Sequence, residues 1–129
     1  MTNAEIVQSF YSRVGSGDLP GALELVAPSC TWTEMESFAP AAVYVGPDAV
    51  RDEIFARIGS QWDAFGLAVD QVVADGDTVV GIGTYSGTYK ETGRSFEARV
   101  VHVFRVQEGK IAAFEQFTDT LAIAGAKGA

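Results

Sequence analysis

The chain has 129 residues, of which 47% are hydrophobic and 20% are charged, as in an ordinary globular domain. Its net charge of −8 disfavours nucleic acid as a partner, because such binding depends on lysines and arginines that neutralise phosphates. No apolar run approaches the ~18–20 residues of a membrane span, and the N-terminus shows no signal-peptide pattern, so we expect a cytoplasmic protein. One cysteine and one histidine are too few ligands for a structural zinc site.

Three helices are predicted in the first half of the chain. The first is expected from about Asn3 to Val14, because the segment TNAE forms a capping box and apolar residues recur at helical spacing. Asp18 is expected to cap the second helix. The third begins at Gly46, carries proline in its first turn and closes at Gly59.

A short strand and a loop are predicted between the second and third helices. Cys30–Glu34 alternates as a strand, which places Trp32 and Glu34 on the same side. Residues 35–45 mix large apolar side chains, including Phe38, with a proline and show no clean period. We therefore expect a loop there that lies over a pocket.

The second half of the chain is predicted to be a four-strand antiparallel meander. The strand at residues 78–89 contains three glycines, which a strongly curling sheet uses at its bends. The predicted fold is therefore α+β: a cone-shaped α+β barrel with three N-terminal helices packed into a strongly curved antiparallel sheet. We expect a single domain over residues 1–123 and a flexible C-terminal tail over residues 124–129.

The last two strands, Ser95–Leu121, form a predicted hairpin with its turn at Glu108-Gly109, and they contain the only histidine. Alternation places His102 on the apolar face of the first strand, together with Val100 and Phe104. A histidine that interrupts an apolar face is a candidate functional residue.

The register of this hairpin decides which residues of its second strand share the pocket. A two-residue turn pairs His102 with Glu115 and places Phe117 and Asp119 on the same face as Glu115. A bulge at Gly109 shifts the pairing by one instead. In that register the residues that turn inward are Phe114, Gln116 and Thr118.

Three segments, in this order and spacing, resemble the nuclear transport factor 2-like superfamily and its ketosteroid isomerase and SnoaL-type polyketide cyclase branch. They are FYSRVGSGDLPGALELVAPSCTWTE, VGPDAVRDEI and GTYSGTYKETGRSFEARVVHVFRVQEGKIAAFEQFTD. The resemblance covers nearly the whole chain. It implies the cone fold and a homodimer through the outer face of the sheet, where Val101 and Val103 leave an apolar strip.

The resemblance also assigns roles to individual residues. Glu34 falls where ketosteroid isomerases keep the carboxylate that shuttles the proton, and His102 where they keep a protonated aspartic acid that donates to the enolate oxygen. Asp119 resembles the acid/base aspartate of SnoaL-type cyclases. Phe10 falls at or beside the family's helix-one tyrosine, and Tyr11 lies one residue, or ~100° around the helix, further on.

These residues suit cofactor-free and metal-free proton transfer next to a carbonyl, in isomerisation or aldol-type cyclisation of a small apolar or aromatic ligand. The predicted catalytic residues are Glu34, His102 and Asp119, since a carboxylate walled by aromatics becomes a better base and a histidine can donate to an oxyanion. The residues predicted to line the pocket are Phe10, Tyr11, Trp32, Phe38, Val100, Phe104 and Phe117. A noncatalytic binding module and a dimerisation domain are the alternatives.

Overall fold

One curved six-stranded sheet carries the fold, and the helices pack against it. The structure, a computed structural model, describes residues 1–128. The strands are β1 (Val26–Glu34), β2 (Ala42–Val45), β3 (Trp62–Asp75), β4 (Thr78–Tyr89), β5 (Ser95–Gln107) and β6 (Lys110–Thr118). Their order is β2-β1-β6-β5-β4-β3, and every neighbouring pair is antiparallel except β1 and β6, which are parallel. The predicted α+β cone is confirmed, with one parallel pair added.

The first two helices begin as the sequence predicts. Helix α1 (Asn3–Gly15) starts with a complete capping box, in which the side chains of Thr2 and Glu5 each accept from the other's backbone N–H. Helix α2 (Leu19–Leu23) is capped by the carboxylate of Asp18. Helix α1 buries its apolar face against the sheet and so forms one wall of the interior.

The third predicted helix is one continuous helical run in three parts. It consists of α3 (Gly46–Ala49), a π-helical segment (Val50–Phe55) and α4 (Ala56–Gln61). The expected end at Gly59 is wrong, because the run continues until the backbone becomes extended at Trp62, where β3 begins. None of the helices within the described residues is long and apolar enough to cross a bilayer.

The segment after β1 folds back over the interior. Ser37 and Phe38 are each 1% exposed, although they lie outside any helix or strand. The segment then returns as strand β2, which pairs with β1 and was not predicted. Residues 35–41 therefore form a cover of the interior, in which Ser37, Phe38 and Ala39 are buried and the other four residues are exposed. The last four residues of the expected loop belong to the sheet.

The C-terminal residues form a further helix, α5 (Thr120–Lys127), where a flexible tail was expected. The expected boundary at residue 123 is wrong, because Ile123 and Ala126 are buried and hold the helix against the sheet. The Lys127 ammonium also donates to the backbone carbonyl of Ser37, which ties α5 to the cover. Ala129, the last residue of the predicted tail, lies outside the described residues.

The final hairpin has the predicted turn and the shifted register. Glu108 and Gly109 have φ of 53° and 75°, the left-handed pair of a type I′ turn. A bulge then displaces the ladder, with Val106 opposite Ile111 but Arg105 opposite Ala113. The pairs beyond it include His102 opposite Gln116, so that Glu115 and Phe117 face outward and Phe114 and Gln116 face inward. The first register, with His102 opposite Glu115, is wrong.

Candidate active site

A cavity of about 360 Å³ lies between α1, the third helical run, the cover and the inner face of the sheet. Its walls are mainly aromatic and aliphatic, and none of the lining residues in the described part of the chain is lysine or arginine. Trp32 and Phe114 stack in its wall with ring centroids 3.7 Å apart. The polar side chains that line it are Tyr11, Glu34, Tyr85, His102 and Gln116.

Glu34 is the last residue of β1 and is 5% exposed. Trp32 Nε1 donates to Glu34 Oε1 at 2.9 Å, and Ser37 Oγ donates to Glu34 Oε2 at 3.3 Å. Burial raises the pKa of Glu34 to about 7, and the two hydrogen bonds oppose this shift only in part. Near neutral pH, Glu34 therefore exists in both the ionised and the protonated form, as a group that accepts and returns a proton must.

His102 lies between two tyrosines that use both of its ring nitrogens. Tyr11 Oη is 2.9 Å from His102 Nδ1, and Tyr85 Oη is 2.6 Å from His102 Nε2. Burial lowers the pKa of His102 to about 3, so the imidazole is neutral and carries one N–H. Burial also raises the pKa of both tyrosines, which keeps their hydroxyls protonated.

Gln116 connects the tyrosines to Glu34. Its Oε1 accepts from the backbone N–H of Met35 at 3.1 Å and from Ser37 Oγ at 3.0 Å, which fixes the orientation of the amide. Its Nε2 therefore donates to Tyr85 Oη, at 3.2 Å. A continuous chain of hydrogen bonds runs from Trp32 through Glu34, Ser37, Gln116, Tyr85 and His102 to Tyr11.

Ser37 links this chain to the protonation state of Glu34. Its single hydroxyl proton faces two acceptors, Glu34 and Gln116, so it satisfies one of them at a time. When Glu34 is protonated, the carboxyl proton can go to Ser37 Oγ and the serine proton to Gln116. When Glu34 is ionised, the serine proton turns towards the carboxylate.

The two Tyr–His hydrogen bonds use one proton fewer than the three side chains carry. Tyr11, Tyr85 and the neutral imidazole of His102 carry three protons, but the two bonds use only two of them. In either tautomer of His102, one tyrosine O–H is without a partner among the described residues. Both tyrosines line the cavity, which makes that O–H a candidate donor to an oxygen atom of a ligand.

The structure places some of the predicted site residues in the cavity and others elsewhere. Glu34 and His102 line it, as do the predicted pocket residues Phe10, Tyr11, Trp32 and Phe38. Val100 and Phe104 share the inward face of β5 with His102 but are buried in the core beside the cavity. Phe117 is 46% exposed on the outer face of the sheet, so its predicted pocket position is wrong, and the bulge in β6 is the reason.

Asp119 is exposed and lies outside the cavity. Strand β6 ends at Thr118, and the chain turns into α5, where the Asp119 carboxylate accepts from Ala122 N at 3.1 Å as a helix N-cap. Its predicted position as a pocket carboxylate is therefore wrong.

The sequence did not point to Tyr85 or Ser37 as site residues. It placed Gln116 on the inward face only in the shifted register of the hairpin. Tyr85 had a detectable signal, because strand alternation places it on the same face as Gly81, Gly83 and Gly87 of β4. Ser37 had none, since it lies in an irregular segment. Among the described residues, no three His, Cys, Asp or Glu side chains come close enough together to hold a metal ion.

The sequence model of the SnoaL-like domain family matches residues 7–114, and the chain belongs to this family. An NTF2-like protein from Burkholderia thailandensis E264 is 44% identical over 98% of both chains, with a TM-score of 0.94. TerC, co-crystallised with polyporic acid, is 22% identical over 98% of both chains, with a TM-score of 0.86. IdmH, a candidate polyketide cyclase from Streptomyces antibioticus, is 20% identical over all of both chains, with a TM-score of 0.79. Comparison with curated proteins gave no match.

Proposed function

We propose that the chain catalyses cofactor-free proton transfer next to a carbonyl group of a small apolar or aromatic ligand, in isomerisation or aldol-type cyclisation. The observation that carries the proposal is Glu34, a buried carboxyl group with a pKa of about 7 in the same cavity as a spare tyrosine proton. An acid or base works best when its pKa lies near the working pH. Membership of the SnoaL-like family supports the proposal.

In this mechanism Glu34 is the base. Its carboxylate takes a proton from the carbon next to the ligand's carbonyl, and the electron pair of that C–H bond moves into the enolate. The enolate oxygen accepts a hydrogen bond from whichever of Tyr11 and Tyr85 retains its O–H. In an isomerisation, protonated Glu34 then returns the proton to another carbon. In a cyclisation, the enolate carbon attacks a second carbonyl carbon, the π electron pair of that carbonyl moves to its oxygen, and protonated Glu34 gives the proton to the resulting alkoxide.

His102 has a different role from the one expected from the sequence. Both of its ring nitrogens are already hydrogen-bonded to tyrosine hydroxyls. His102 therefore orients those hydroxyls, and a tyrosine, not His102, donates to the ligand. A neutral imidazole also adds no charge to the cavity. The oxyanion donor is therefore a tyrosine, held in place by His102 from behind.

The walls of the cavity favour an uncharged ligand. A carboxylate or phosphate group would lose its hydration there without meeting a lysine or arginine among the described lining residues, which is costly. Aromatic walls instead suit a flat, apolar ring system. TerC, a protein of similar fold, was co-crystallised with a small molecule, polyporic acid.

The proposal is tested by hydrogen exchange in heavy water. A panel of uncharged cyclic ketones and aromatic polyketides is first screened by thermal shift, because a ligand that binds the folded state raises its stability. Each ligand that binds is then incubated with the protein in D₂O. We expect deuterium to enter at the carbon next to the carbonyl, detected by mass spectrometry, at a rate that falls in Glu34→Gln. Ligands that bind without any exchange would leave the noncatalytic binding module as the better description.

A homodimer through the outer face of the sheet is part of the proposal. An apolar row crosses that face where Val101 of β5 pairs with Ile82 of β4 on one side and with Phe117 of β6 on the other. We expect light scattering at micromolar concentration to give about twice the 13.7 kDa of one chain. Phe117→Glu should shift this mass towards one chain, whereas Leu121→Glu, an equally drastic change on α5, should not. A parent protein that scatters as a single chain would reject the dimer.

A further inference from the structure

Gly81 lies directly opposite His102 in the β4–β5 ladder, and both residues face the interior. Facing residues of antiparallel strands have Cβ atoms about 4.5–5.5 Å apart, so a side chain at position 81 would stand against the imidazole. Tyr11 from α1 occupies that space instead. A Cβ atom at Gly81 would lie 2.1 Å from Tyr11 Oη and 2.9 Å from Tyr11 Cζ, far inside van der Waals contact.

The other two glycines of β4 show that this fit is particular to Gly81. A Cβ atom at Gly83 would lie 2.3 Å from the backbone carbonyl oxygen of Ala68, so the close approach of strand β3 excludes a side chain there. A Cβ atom at Gly87 would lie 3.4 Å from its two nearest atoms, Phe65 Cα and Phe96 Cε1, which are ordinary contacts. Of the three, Gly81 is the one at which the obstacle is a side chain of the hydrogen-bonded chain.

The backbone of Gly81 does not itself demand glycine. It is regular β4 backbone outside the left-handed region, so alanine can adopt its conformation. What alanine would remove is the slot for the tyrosine hydroxyl. The sequence-based explanation of this glycine as a bend of a curved sheet therefore leaves out its contact with Tyr11.

We infer that Gly81 is a positioning residue of the pocket: the side chain it lacks leaves the slot through which Tyr11 reaches His102 Nδ1. Without that bond, His102 Nδ1 loses its partner. His102 then no longer fixes the position of the Tyr11 hydroxyl. The effect on catalysis rests on the proposed function, but the Tyr11–His102 bond is measurable without any substrate.

The test uses the fact that the chain has one histidine, so its two imidazole nitrogens give one unambiguous pair of ¹⁵N resonances. We expect Gly81→Ala and Tyr11→Phe to move the Nδ1 resonance in the same direction, because each removes the same hydrogen bond. Gly87→Ala, the matched change in the same strand, should keep both resonances at their parent positions. A folded Gly81→Ala protein with the parent's Nδ1 resonance would overturn the inference, as would an unchanged Nδ1 in Tyr11→Phe.

A second variant covers the case in which Gly81→Ala does not fold. Truncating the tyrosine in Gly81→Ala/Tyr11→Ala removes the atoms that the new methyl group meets, so folding should return. A double variant that stays unfolded while Tyr11→Ala alone folds would show that another contact requires Gly81, and would overturn the inference.

Turnover gives an independent reading. In the heavy-water assay, Gly81→Ala should slow deuterium incorporation by the same factor as Tyr11→Phe, with little change in ligand affinity. If the parent protein exchanges no ligand, the proposed function fails, and the ¹⁵N measurement still decides the role of Gly81.

Discussion

Glu34 and Asp119 are carboxylates at the carboxyl ends of two neighbouring parallel strands, β1 and β6, yet they have opposite surroundings. Glu34 is 5% exposed and accepts from Trp32 and Ser37, whereas Asp119 is exposed and accepts from the backbone at the start of α5. Both positions were expected to face the pocket. The difference arises from the direction that the chain takes after each strand.

After β1 the chain folds back over the carboxyl group, and after β6 it turns away into a helix. The cover brings the buried side chains of Ser37 and Phe38 against the interior, so that Glu34 loses water and its pKa rises. At Asp119, the first turn of α5 needs an acceptor for its free N–H groups, and the carboxylate supplies it. The same functional group is thus a buried acid with a raised pKa in one place and a helix cap in the other.

The largest expected effect is on turnover. Glu34→Gln keeps the shape of the side chain and removes the base, so it should lower the rate of deuterium incorporation by roughly 10²–10⁴ with little change in ligand affinity. Asp119→Asn, the matched change at the other strand end, should leave the rate unchanged. Equal losses in the two variants would contradict the contrast between the two carboxylates.

A smaller effect is expected in how stability depends on pH. The pKa of Glu34 is raised to about 7, so the folded state keeps a proton that the unfolded state has lost, and stability falls as pH rises from about 4.5 to 7. The pKa of His102 is lowered to about 3, so the unfolded state takes up the proton first, and stability rises as pH rises from about 3 to 6.5. Between pH 4.5 and 6.5 the two slopes oppose each other and largely cancel.

Removing one group should reveal the slope of the other. In Glu34→Gln, the free energy of unfolding should rise with pH between 4.5 and 6.5 by about 1.4 kcal/mol per pH unit, the slope of one titrating group. The parent and Asp119→Asn should stay nearly flat in this window. Urea unfolding at four or five pH values measures all three. A flat profile in Glu34→Gln would show that the folded state does not depress the protonation of His102.

The helix starts could be predicted because their signals are local. The capping box at Thr2 and Glu5 and the cap at Asp18 depend on residues within one turn of each other. The inward face of β5, which carries His102, could be predicted equally well, because the alternation of apolar and polar residues is a property of that strand alone. These features need no information from distant parts of the chain.

The register of β6 and the cover after β1 could not be predicted in the same way. The bulge in β6 is stabilised by the burial of Phe114 and Gln116 against residues far away in sequence, and a one-residue shift exchanges the two faces of a strand. The role of Ser37 depends on its hydrogen bonds to Glu34 and Gln116, and Gln116 is 79 residues away in sequence. The roles of Phe117 and Asp119 were misassigned for this reason: both depend on where β6 pairs and ends.

The smallest expected effect concerns the other side of the comparison, the cap of α5. Asp119→Ala removes the acceptor for Ala122 N and should lower the free energy of unfolding by about 1 kcal/mol, the usual cost of losing an N-cap. Asp119→Asn should cost almost nothing, because asparagine caps helices as well as aspartate does. Urea unfolding at one pH separates the two variants, and the exchange assay should show parent rates for both. A carboxylate needed for proton transfer would give the reverse pattern, with Asp119→Asn stable but inactive, and would return Asp119 to the catalytic group.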